Sequence, residues 1–146
     1  MKYPIDKVFI TQGFGGNPDM YAKYGMEGHN GIDFRTRFVD SPLAHRYVTP
    51  AKEGVVIEVG NQGKAGYGTF VRIKHYKDEQ TIYAHLSKVY VKVGQKVILG
   101  QRIGLTGNTG ASTGSHLHFG FRPYNWREIY NNGYKGYVDP IPHLDA

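Results

Sequence analysis

Short runs of alternating apolar and polar residues, most of them closed by glycine, leave this chain little room for any fold but a β one. Gly54-Val55-Val56-Ile57-Glu58-Val59-Gly60, Thr69-Phe70-Val71-Arg72-Ile73-Lys74-His75 and Thr81-Ile82-Tyr83-Ala84-His85-Leu86 all have strand length, and the last two keep the strand period of two. Twenty glycines among 146 residues break a hydrophobic content of 40% into short elements joined by turns. Val8-Phe9-Ile10-Thr11 reads as a first strand, and the glycines from Val89 to Gly107 are spaced to turn short strands around a compact barrel-like sandwich. Two short helices are expected. One spans 17–24, where Asn17-Pro18-Asp19 has the pattern of an N-cap followed by proline, and the other lies near Trp126 to Tyr130 and covers the sheet. The fold class expected is therefore all-β, a mainly antiparallel β-sandwich with one or two short helices. At this length one domain, 1–146, is the expectation.

The absence of cysteine excludes disulfides, thiolate catalysis and every cysteine-based zinc site, so any metal must be held by His, Asp or Glu. A net charge of +6 implies attraction to a polyanion, whether nucleic acid, an anionic membrane or a wall carrying acidic polymers. The basic residues form no run and no nucleic-acid motif is present, which argues against a nucleic-acid partner. No apolar stretch approaches the roughly 20 residues of a transmembrane helix. Met1-Lys2-Tyr3-Pro4-Ile5-Asp6 lacks the apolar centre of a signal peptide, so a mature domain, or one that leaves its cell by another route, is expected.

Chemistry is concentrated in a few places. In Ser115-His116-Leu117-His118-Phe119-Gly120, alternation puts both imidazoles on the face opposite Leu117 and Phe119, roughly 6 to 7 Å apart along the strand. One ring can bind a metal while the other handles a proton; taken alone, the pair reads equally as two polar groups on the wet face of an edge strand. In Gly28-His29-Asn30-Gly31-Ile32-Asp33-Phe34, Asn30-Gly31 reads as a turn that carries His29 into a strand whose polar face bears Asp33. Alone, that pair reads more simply as a strand-edge Asp and an incidental loop His. Alternation places Ile82, Ala84 and Leu86 on one face of their strand and Thr81, Tyr83 and His85 on the other, so His85 is a third polar group opposite an apolar face. The glycine-rich loop 61–68 has neither a dinucleotide fingerprint nor a P-loop lysine, and the zincin motif His-Glu-x-x-His is absent. His45 reads as a surface residue. The aromatic tail, with Tyr124, Trp126, Tyr130, Tyr134 and Tyr137, reads chiefly as packing.

Taken together, His29-x-x-x-Asp33, Tyr83-Ala84-His85-Leu86 and His116-Leu117-His118-Phe119 resemble the signature of the lysostaphin and LytM type zinc endopeptidases that cut bacterial peptidoglycan. Gly66-Tyr67-Gly68, Val93-Gly94 through Gly100-Gln101, and Gly107-Asn108-Thr109-Gly110 extend the resemblance from about Phe14 to Phe121. It implies a barrel-sandwich of the duplicated hybrid-motif type, a Zn2+ ion bound by His29, Asp33 and His118, and a catalytic pair of His85 and His116. It makes His75 a strand-end histidine that is not a ligand. It also implies an enzyme that hydrolyses stem peptides or cross-bridges at the bacterial cell wall, either secreted or delivered by a phage as an endolysin or virion component; the oligomeric state does not follow from the sequence, and a monomer is the expectation. The aromatic tail resembles those of phage-borne wall-degrading domains. Two other readings compete: a catalytically silent wall-binding or regulatory module on the same scaffold, and a structural β module, since Val93 to Gly104 also resembles lipoyl-carrying domains.

Overall fold

The computed structural model describes residues 1–38, 44–63, 66–107 and 115–145. The loop 108–114 that leads to His116, and 39–43 within the polar segment from Arg35 to Thr49, lie outside them. The described strands are β1 (Ile10–Gln12), β2 (Ile32–Arg35), β3 (Tyr47–Val48), β4 (Gly54–Asn61), β5 (Thr69–Lys74), β6 (Gln80–Val89), β7 (Lys96–Val97), β8 (Gly104–Thr106) and β9 (His116–Arg122). All pair antiparallel, in the order β1-β2-β9-β6-β5-β4-β7, with β8 joining β3 to β6. The long strand β6 is thus the branch point of the sheet. One apolar cluster includes Ile32 and Phe34 of β2, Val56 of β4, Ile73 of β5, Tyr83 and Leu86 of β6, Val97 of β7 and Leu117 and Phe119 of β9. Residues from both ends of the strand order meet there, so the sheet folds over on itself with its apolar face inward. No helix among the described residues is long and apolar enough to cross a membrane.

The helix expected at 17–24 is one turn of α-helix, α1 (Pro18–Tyr21), followed by a 3₁₀ turn at Ala22–Tyr24. Asn17 occupies the N-cap position in the left-handed region, at φ 49°, and its side chain makes no capping bond. The helix expected near Trp126 to Tyr130 is instead a succession of turns. Asn132, whose Oδ1 accepts from the backbone N–H of Tyr134 and Gly136, holds the following turn. Trp126 still packs as expected, donating from Nε1 to the Asp78 carbonyl at 3.0 Å.

Strand β6 departs from simple alternation. Tyr83 joins the core while Ile82 and Ala84 join a second cluster on the opposite face, with Phe70 and Tyr137. This reverses the faces that alternation assigns to Tyr83, Ile82 and Ala84. Leu86 nonetheless returns to the core, because the chain changes phase between these residues. Across the β5–β6 pair, Thr69 faces Leu86 and Val71 faces Tyr83, so two steps on one strand match three on the other. The extra residue is a bulge, and His85 within it has φ 64°. Its backbone remains satisfied: His85 N–H donates to the Tyr67 carbonyl at 2.9 Å, and its own carbonyl accepts from Gly107 N–H at 3.0 Å.

Thr81 and Tyr83 are fully buried, and their hydroxyls belong to a hydrogen-bonded chain through the core. His75 Nδ1–H donates to the Glu53 carbonyl at 2.7 Å, leaving Nε2 to accept from Thr81 Oγ1 at 2.7 Å. Tyr83 then donates to Thr81 at 2.8 Å and accepts from Ala51 N–H at 2.9 Å. Each proton in this arrangement has one acceptor, which makes the chain intolerant of a missing member. Burial pushes the His75 imidazole below its ordinary pKa, so the fold favours the neutral ring.

Three substitutions test these strands. Tyr83→Phe leaves the Ala51 N–H buried without a partner and is expected to cost about 1–3 kcal/mol in urea denaturation. The stability that His75 adds is present above the ordinary histidine pKa of about 6.5 and is lost as pH falls through its lower folded value, so the deficit of His75→Gln should shrink on acidification. At His85, glycine adopts the left-handed backbone without strain, so thermal denaturation should show His85→Gly to be more stable than His85→Ala, by about 1 kcal/mol.

Candidate active site

Asp33 sits directly opposite His118 in the β2–β9 register. Their neighbours Ile32, Phe34, Leu117 and Phe119 are all in the core, which forces Asp33 and His118 onto the other face, together with His116. His29 enters from the loop before β2. Its backbone is clamped by Gly15 N–H on its carbonyl at 2.7 Å and by its own N–H on the Gly16 carbonyl at 2.9 Å. Its Nδ1–H donates to the Gly13 carbonyl at 3.1 Å, so the Nε2 lone pair points inward.

Three donor atoms converge there. His29 Nε2 and His118 Nδ1 are each 3.2 Å from Asp33 Oδ1 and 2.9 Å from one another. Ligands on a tetrahedral zinc with bonds of about 2.0–2.1 Å lie roughly 3.3 Å apart, so the spacing fits one such ion. The donor set fits as well: two nitrogens and one oxygen, all on buried residues, with one coordination position left over. The protonation states agree. Burial alone would raise the Asp33 carboxyl, but the His118 and His29 rings in contact with it hold it well below the usual carboxylate range. Burial lowers the His118 imidazole against the opposing pull of Asp33, which favours the neutral ring a metal requires.

The other two expected residues stand beside this set. His116 Nε2 is 3.7 Å from Asp33 Oδ2. The His85 ring centre is 4.7 Å from that of His116 and 6.2 Å from that of His118. His85 reaches this face because the bulge adds one residue to β6; strict alternation would have carried it to the core beside Tyr83. All five residues line a cavity of about 390 Å³. His45 does not line it and contacts Asp6 at 3.0 Å, as a surface histidine would.

Three cavity residues were not singled out for this role from sequence. Tyr67 accepts from Asn30 Nδ2 at 2.7 Å, and its ring centre is 5.2 Å from that of His118; burial pushes its hydroxyl well above the usual tyrosine range. Tyr21, whose ring centre is 5.2 Å from that of His29, has its hydroxyl pushed up to about 12 by burial. The signal for Tyr67 was the Gly66-Tyr67-Gly68 phrase, whereas nothing in the pattern around Tyr21 or Asn30 marked them. Gly31 has a spatial reason to be glycine: an added Cβ would lie 2.4 Å from the Phe119 carbonyl oxygen and 2.9 Å from Cε1 of His118. Gly31→Ala should therefore displace the His118 ring and weaken the affinity of the site for a divalent metal by about tenfold or more, measured by competition with a chromophoric chelator.

Residues 27–136 match the profile of peptidase family M23. The chain is 40% identical over 119 residues to the peptidoglycan DD-endopeptidase ShyA of Vibrio cholerae, covering 81% of this chain and 26% of that protein. A crystal structure of a zinc-containing peptidase from Vibrio cholerae superposes with a TM-score of 0.68 and 35% identity, over 94% of this chain and 37% of the other. The catalytic domain of lysostaphin from Staphylococcus simulans superposes with a TM-score of 0.69 and 27% identity, over 93% of this chain and 91% of that domain. The chain spans about a quarter of the length of the curated relatives it matches first.

Proposed function

The chain belongs to peptidase family M23, and from that premise we propose that it is a zinc-dependent endopeptidase that hydrolyses peptide bonds in the stem peptides or cross-bridges of bacterial peptidoglycan. The observation that carries this reading is the convergence of His29 Nε2, Asp33 Oδ1 and His118 Nδ1 within 3.2 Å of one another, beside two further imidazoles on one cavity wall. His29, Asp33 and His118 would hold the metal. When bound, zinc polarises the scissile carbonyl and lowers the pKa of a water in the remaining position towards about 7.

The proton transfers belong to His85 and His116. Imidazole can accept a proton from the attacking water and return one to the leaving amine near neutral pH. Rings centred 4.7 Å apart can serve one reacting centre. Tyr67, fixed through Asn30, keeps its hydroxyl protonated and so remains a donor at the cavity wall. The net charge of +6 would draw the protein to the anionic polymers of the wall. Secretion and phage delivery both fit a site of action at the wall, and a single domain acting as a monomer is sufficient for the chemistry.

The test separates the two groups of residues. His29→Ala, Asp33→Ala and His118→Ala are expected to abolish both zinc binding, read by elemental analysis, and release of new amino termini from purified peptidoglycan. His85→Ala and His116→Ala should keep one zinc per chain while activity falls by about a hundredfold or more. Wall hydrolysis that persists after chelation contradicts the reading, and a zinc-loaded wild type that cuts no wall type identifies a silent module instead.

A further inference from the structure

The cavity that holds the five site residues is also lined by three cationic residues, Arg72, Arg122 and Lys135. Arg122 follows His118 on the same face of β9, four residues on, which places it about 13 Å from the ligand set along the strand. Arg72 lies on β5 in the same cross-strand row as Ile82 and Gly120.

The bonding of these cations differs from that of surface pairs. Arg122 donates from Nε and Nη2 to the Lys135 carbonyl at 3.1 and 2.9 Å, and from Nη1 to Gln80 Oε1 at 3.2 Å. Its guanidinium lies 4.2 Å from the Trp126 ring centre and 4.4 Å from that of Tyr137. Every one of these partners is neutral, and no carboxylate of the described residues lies within salt-bridge distance of Arg122 or Lys135. Arg72 is the exception, since Glu58 Oε1 accepts from its Nε at 3.0 Å, with Tyr137 bonded to Nη1. A half-buried guanidinium fixed by two rings and a carbonyl is preorganised, and its charge is left uncompensated facing the cavity.

We infer that this cationic part of the cavity binds a carboxylate of the substrate peptide, and so selects acidic peptides over neutral glycine chains of the same length. The inference rests on the peptidase reading for the word substrate, but the binding it predicts does not need hydrolysis. An extended peptide advances about 3.3–3.6 Å per residue, so the recognised carboxylate lies roughly three to four residues from the bond over the metal ligands. The aromatic tail that supplies Trp126, Lys135 and Tyr137 thereby gains a role in specificity as well as packing.

The test measures binding of three synthetic peptides of equal length to the zinc-loaded His116→Ala chain by isothermal titration calorimetry. One bears a free side-chain carboxylate, the second carries the corresponding carboxamide, and the third is oligoglycine. The acidic peptide is expected to bind at least tenfold more tightly than the other two, with the advantage shrinking as salt is raised. Arg122→Gln, introduced into the same background, should reduce the ratio of acidic to amidated affinity towards one. Lys135→Gln should reduce it as well, and it leaves the backbone carbonyl that holds Arg122 in place, so it covers the case in which Arg122→Gln fails to fold. Equal affinity for the acidic and amidated peptides, or a ratio that survives in a folded variant of either cation, overturns the inference. Failure of the wild-type chain to cut peptides that it binds with this preference would count against the peptidase reading and leave the carboxylate site standing.

Discussion

The pairing of Asp33 with His118 across two antiparallel strands is the constraint on which the site depends. Antiparallel register puts side chains of opposed residues on the same face, and the core fixes which face that is. Slipping β2 by one residue against β9 would bury the carboxylate among Tyr83, Leu117 and Phe119 and expose Ile32 and Phe34. The apolar cluster therefore holds Asp33 and His118 in place, and the packing of Phe34 and Phe119 is inseparable from the geometry of the polar groups beside them. His29, clamped through its backbone to Gly15 and Gly16, adds the third donor without belonging to the sheet.

A second constraint acts on β6. The central strand must keep Tyr83 in the core and still deliver His85 to the opposite side, which a regular strand cannot do because 83 and 85 share a face. The chain resolves the conflict with one extra residue, placing His85 itself in the left-handed backbone region. A non-glycine residue there costs of order 1–3 kcal/mol, and such strain persists where surrounding structure enforces it. Here the enforcement comes from the Tyr67 carbonyl, on a residue that lines the cavity, and from the Gly107 amide. Local strain thus falls on a residue that lines the cavity.

These two strands also show what was legible in the sequence. For β2 and β9 the alternation of Ile32, Phe34, Leu117 and Phe119 with polar residues gave the correct faces, because nothing interrupts the period of two. In β6 the same reasoning placed His85 on the site side but put Tyr83 there as well. The phase change depends on the bulge, and a bulge whose extra residue is not glycine has no clear mark in the residue pattern. The tail near Trp126 to Tyr130 closes successive turns in place of a helix, with Trp126 N–H on the Pro123 carbonyl and Glu128 N–H on the Asn125 carbonyl, and Gly133 and Gly136 beyond it have positive φ. Nothing in the residue pattern marked Arg72 or Arg122; only the fold brings them to the cavity that His118 lines. The family resemblance supplied the grouping of His29, Asp33 and His118, which spacing alone left open.

The central claim is that these three side chains form one metal site and that His85 and His116 lie outside the coordination sphere. Anomalous diffraction at the zinc edge from a crystal of the zinc-loaded protein tests it most directly. The account predicts a single strong peak bonded to His29 Nε2, an Asp33 oxygen and His118 Nδ1, with His85 and His116 beside it and unbonded. A peak ligated by His85 or His116, or zinc bound only elsewhere on the chain, would contradict it.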